Sequence, residues 1–167
     1  MQMRKPLLAL LLAMTAGAAA VADAYPPYGS EIRPANRIVG MWQAHVSIGP
    51  CNGGPVRQFL GLNVYNAGGT LNDANTFPPT SRGPGMGVWT YVGHAPSGGH
   101  LFRSRFQFAR FKADGSFDGL QDVKQDITVQ PAGNALTSTI AADVLNPDGS
   151  LRAQLCGTAI ADRVTLD

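Results

Sequence analysis

Between residues 39 and 164 the sequence switches eight times between alternating apolar and polar runs and short clusters of Gly, Pro, Asn and Asp. A side-chain period of two is the signature of a half-buried strand, and the intervening clusters are turn chemistry. No helical period competes with it, so the pattern restricts the chain to an all-β architecture of consecutive antiparallel strands.

The expected strands are Val39 to Ile48, Arg57 to Tyr65, Thr70 to Thr76, Met86 to Val92, Leu101 to Lys112, Phe117 to Val129, Leu136 to Leu145 and Leu151 to Val164. In the first, Trp42, Ala44, Val46 and Ile48 share a face. In the fifth, Phe102, Phe106 and Phe108 oppose Arg103, Arg105 and Gln107. In the sixth, Phe117, Val123, Ile127 and Val129 oppose Asp118, Asp122, Lys124 and Asp126, and in the seventh Leu136, Ile140 and Val144 are in phase. Asp114-Gly115 and Asp148-Gly149 are hairpin signals. Eight strands joined by short turns fit an up-and-down barrel or a sandwich. The immunoglobulin sandwich is disfavoured, because its Trp falls between its two cysteines and Trp42 precedes Cys51. A membrane barrel needs an apolar outer band, and the face opposite the phenylalanines is charged.

The N-terminus reads as an export signal. Arg4 and Lys5 precede an uncharged apolar run from Leu7 to Val21, and Ala22-Asp23-Ala24 supplies small residues for cleavage before Tyr25. The run is short against the roughly 20 residues of a membrane span, the alternative being an uncleaved anchor. The expected organisation is a signal peptide over 1–24, a flexible Pro-containing leader over 25–37 and a single β-barrel domain over 38–167. An exported protein, periplasmic or secreted, follows, with no membrane span in the mature chain. About 140 residues remain, enough to bury a core. The full chain carries a net charge of +2 with no basic block, which argues against nucleic acid and against a cationic membrane face.

In an exported chain the two cysteines, Cys51 and Cys156, read as a disulfide joining the end of the first strand to the last. Free thiols or a metal site are the alternatives, and two cysteines without a neighbouring His make a poor metal site.

Gly40-Met41-Trp42 on the first strand and Arg163 near the end of the last resemble the lipocalin and wider calycin group. The resemblance implies an eight-stranded antiparallel up-and-down barrel in which Trp42 packs at the closed end beneath Arg163. The stretch 40–163 also resembles a group of exported bacterial proteins, through the Gly-x-Trp, Gly69-Thr70, the Gly-x-Gly-x-Trp from Gly85 to Trp89, and Asp114-Gly115. That resemblance implies no activity. The lipocalin pattern departs after Val164, where a typical lipocalin has a helix and this sequence has three further residues. The allene oxide cyclase barrel is related, but no catalytic set transfers from it.

A barrel has an inside. Ser104 and Arg110 fall in phase with Phe102, Phe106 and Phe108, and Gln121 and Gln125 fall on the apolar face of the sixth strand. Polar groups on an inward face need partners. They either orient a ligand's polar end above a phenylalanine-lined pocket or satisfy one another in a filled barrel. His94 and His100 flank a Gly-rich turn, at no known metal spacing. No Gly-x-Ser-x-Gly, phosphate loop or His-Glu-x-x-His occurs, and the Gly-rich stretch from Ser81 to Gly87 reads as a lid or rim. No catalytic residue, metal or cofactor is assigned.

Three functions are open on the sequence. The first is binding of a small, mostly hydrophobic molecule. The second is a filled barrel meeting a protein partner through its 77–85 and 94–100 loops. The third is an enzyme on a lipid-like substrate, for which Arg110 is the only charged residue in phase.

Overall fold

The computed structural model of the protein describes residues 33–166. The expected signal peptide and most of the expected leader lie outside these residues. The alternating runs form eight strands: β1 (Gly40–Pro50), β2 (Arg57–Tyr65), β3 (Thr70–Asn75), β4 (Gly85–His94), β5 (His100–Phe111), β6 (Phe117–Val129), β7 (Ala135–Leu145) and β8 (Leu151–Arg163). Each pairs antiparallel with its sequence neighbours, and β1 closes on β8 to complete an up-and-down barrel. Closure removes the two exposed edges that an open eight-stranded sheet would present.

The period of two decides what faces inward. Trp42, Ala44 and Val46 of β1, Phe102 and Phe106 of β5, Val123, Ile127 and Val129 of β6, and Leu136 and Ile140 of β7 are all buried. Phe117 departs from this pattern. A register shift between Arg110 and Phe111 pairs Arg110 with Gly119 and Phe111 with Phe117, and Phe117 is left 45% exposed. An extra residue in one strand reverses the phase beyond it. Asp122 also departs from the solvated role its phase implied. It points outward but is buried beneath Arg105, whose Nε and Nη2 donate to its carboxylate at 2.7 to 3.1 Å.

Two glycines let neighbouring strands approach closely. A Cβ at Gly87 would sit 2.1 Å from the Arg105 carbonyl oxygen, and one at Gly157 would sit 2.3 Å from that of Ser47. Neither position admits a side chain without moving backbone.

In an up-and-down barrel, successive connections alternate between the two ends. The connections 51–56, 76–84, 112–116 and 146–150 gather at one end, and 66–69, 95–99 and 130–134 at the other. The second end is closed. Trp42 and Ile38 are fully buried there, and the Trp42 indole N–H donates to the Ile38 carbonyl at 2.8 Å. Arg163 lies directly across the ladder from Trp42, with its guanidinium carbon 4.3 Å from the ring centroid. It donates to the carbonyls of Gly133 at 2.7 Å, Val39 at 2.6 Å and Arg37. One charged side chain thus ties the N-terminal entry, with the 3-10 turn Pro34–Asn36 just before it, to the β6–β7 connection. Cys51 and Cys156 form a disulfide across the barrel's β1–β8 seam, with their Cα atoms 4.8 Å apart.

Candidate functional site

The other end of the barrel stays open. A cavity of about 470 Å³ runs into it, lined by side chains from seven strands and from the 76–84 connection. Three levels follow from the register. Arg57, Arg110 and Arg152 stand at the mouth with Phe77. Ile48, Phe59, Phe106, Phe108, Val144 and Leu155 form an apolar waist. Asn63, Asp73 and Gln125 form a polar floor above the packed half.

The floor is made of buried groups that satisfy one another. Asp73 and Arg82 are each 8% exposed and form an ion pair. The Asn63 amide donates to the second carboxylate oxygen of Asp73 at 3.1 Å. The Arg82 guanidinium also lies 3.6 Å from the Phe108 ring centroid, a cation–π contact inside the barrel. Burial pushes the Asp73 carboxyl above the usual carboxylate range, against the opposing pull of Arg82 and Asn63. Beside it, the Gln125 side-chain oxygen accepts from Ser104 at 2.8 Å and from the Tyr65 hydroxyl at 3.3 Å. Burial pushes that Tyr65 hydroxyl far up, so it stays protonated as a donor.

Arg82 reaches the interior because its loop is pinned. The Gly83 N–H donates to the Ala109 carbonyl at 2.8 Å, the Phe111 N–H donates to that of Ser81 at 3.0 Å, and Arg82 bridges to Arg110. The stretch from Ser81 is therefore a rim fixed to β5. Asp118, next to the register shift in β6, meets Arg110 at 3.1 Å and Arg152 at 2.9 Å.

The residues expected to face a ligand divide between two levels. Phe106, Phe108, Arg110, Gln121 and Gln125 line the cavity. Phe102 lies deeper in the packed half, with ring centroids 5.8 Å from Trp89 and 5.3 Å from Tyr91. Ser104 sits beneath the cavity, holding Gln125. Arg110 is not the only charged group inside: Asp73 and Arg82 line the cavity too, with the neutral Asn63 beside them. The in-phase spacing of Leu71, Asp73 and Asn75 was the available signal for Asp73. Arg82, in a connection, gave none.

A larger concavity of about 590 Å³ lies on the outer face of β4 to β7. Its charges are already committed across the ladder, Arg103 to Asp126 at 3.0 Å and Lys124 to Asp143 at 3.1 Å. Such exposed pairs contribute little and leave no unspent charge for a ligand.

His94 and His100 pair across the β4–β5 hairpin with ring centroids 5.0 Å apart. Among the described residues no group of three His, Cys, Asp or Glu side chains is placed to hold a metal ion. Burial, then His94 and Arg37, lower the pKa of His100. The unfolded chain therefore takes up this proton at higher pH than the folded one. Stability should fall as pH drops below about 6.5. Urea midpoints between pH 5 and 8 should show this slope, and H100F should flatten it. An unchanged slope in the variant would remove His100 from the account.

The chain matches no protein-family model, no curated protein and no solved structure. Strand number, antiparallel order and closure are compatible with a lipocalin-like fold, and they carry that likeness by themselves.

Proposed function

We propose that the protein is an exported barrel that binds a small, mostly hydrophobic molecule in its open end. The observation that supports this reading best is the contrast between the two ends. One is filled by Trp42, Ile38, Leu136 and Val129. The other retains about 470 Å³ behind an apolar waist, a size in the usual range of small-molecule sites. No helix among the described residues is long and apolar enough to cross a membrane, and the disulfide fits an oxidising compartment.

The cavity counts against a filled barrel. The 77–85 and 94–100 loops also lie at opposite ends of β4, a ten-residue strand about 33 Å long, so one compact partner surface does not span both. The enzyme reading gains a buried carboxylate in Asp73, but Arg82 and Asn63 already occupy both of its oxygens.

Leu155 lies partly buried at the waist, so a larger side chain there fills the cavity without entering the packed half. Titration with the neutral apolar dye N-phenyl-1-naphthylamine should give saturable fluorescence enhancement in the native protein. L155W should weaken it at least about tenfold, with the far-ultraviolet circular dichroism and melting temperature little changed. Equal binding by native and L155W protein would place the dye elsewhere and overturn the reading.

A further inference from the structure

The mouth of the cavity holds more positive charge than the protein neutralises. Arg57, Arg110 and Arg152 line the mouth, and Arg82 lines the cavity below them. Against these four guanidinium groups stand two carboxylates. Asp73 is spent on Arg82, and Asp118 is shared between Arg110 and Arg152. Two positive charges are left over. Arg57 forms no ion pair with any described residue. Arg110 Nη1 is shielded from solvent and has no hydrogen-bond acceptor, while its Nη2 serves Asp118.

A buried guanidinium N–H without an acceptor is costly, and structures rarely leave one so. The outer wall of the barrel differs from the mouth. The outer ladder pairs its cations with carboxylates one to one at Arg103, Arg105 and Lys124. The floor pairs Arg82 with Asp73. Within the cavity, the surplus sits at the mouth, directly above the apolar waist.

We propose that the molecule taken by the cavity is an amphiphile with an anionic head group of the carboxylate class. Its head group sits at Arg110 and Arg57, and its apolar chain lies along Phe106, Phe108 and Leu155. This deepens the preceding proposal and rests on it. The polarity of the site fixes the orientation. A head group at the mouth meets unspent donors, whereas at the floor it would meet the Asp73 carboxylate. A charge-assisted pair in such a partly dry setting contributes more than a neutral hydrogen bond. Guanidinium also suits a planar two-oxygen acceptor.

Calorimetric titration with dodecanoate and with dodecan-1-ol, both below the concentrations at which they aggregate, separates head group from chain. Dodecanoate should bind at least about tenfold tighter than the alcohol at low salt, with the gap narrowing as salt is raised. R110Q and R57Q should each reduce that preference several-fold, weakening dodecanoate more than the alcohol. Arg57 is exposed and forms no ion pair with any described residue, so R57Q should leave folding little changed, with the melting temperature as the check. Equal affinity for acid and alcohol would overturn the anionic head group while leaving the apolar cavity intact. A preference untouched by both variants would overturn its assignment to these arginines. Failure of both ligands to bind would overturn the cavity reading itself.

Discussion

Replacing both cysteines by serine should lower the melting temperature by roughly 15 °C. Cys51 and Cys156 are separated by 105 positions in sequence, and constraining a loop of that length in the unfolded chain stabilises by about 4.7 kcal/mol in the chain-entropy model. For a domain of this size each kcal/mol moves the midpoint by a few degrees. The bridge also lies on the β1–β8 seam, where Gly49 pairs with Cys156. That seam joins the two ends of the sheet and is the pairing with the largest sequence separation. A reductant added to the native protein should reproduce the shift, and alkylation of the native protein should find no accessible thiol. A melting temperature within about 2 °C of native in the serine variant would show that the seam holds without the bridge.

The second large effect lies inside the barrel. D73A should destabilise by about 3–5 kcal/mol, because it leaves the Arg82 guanidinium buried and unpaired. That figure describes a broken pair, not the worth of an intact one. The double variant D73L/R82M should recover most of the loss, since an apolar pair of similar volume escapes the desolvation cost of two ions. Chemical denaturation of D73L, R82M and the double variant D73L/R82M gives the coupling directly. If D73A alone costs less than about 1 kcal/mol, water already reaches the pair and the floor is not a dry one. If the double variant is as unstable as D73A, then Arg82 contributes mainly by holding the 76–84 connection over Phe108.

Much of the barrel was legible because its strands alternate cleanly. β2 and β6 fall where the pattern placed them, and the other strands differ by no more than two residues at an end. The closed end was legible through Trp42 and Arg163, which face each other across the ladder. The open end was less so, for separate reasons. β3 has six residues and only Leu71 as a large apolar marker, too little to show that Asp73 faces inward. Arg82 enters the barrel because its loop pairs with Arg110 and Ala109, an interaction set by residues far along the sequence and invisible to any local period. Phe117 was placed inside because a period of two cannot register a bulge. Phe102 and Phe106 read alike in sequence. Only the three-dimensional level, packed half or open half, separates core from cavity wall.

The measurement that tests the central claim most directly is an amide proton–nitrogen correlation spectrum recorded while a neutral apolar probe is titrated in. Saturable shifts should gather on the open half, at Ile48, Phe59, Phe106, Phe108, Val144 and Leu155, while Trp42, Ile127 and Leu136 at the closed end stay fixed. Shifts confined to the outer face of β4, or no saturable shift at any residue, would contradict a binding cavity inside the barrel.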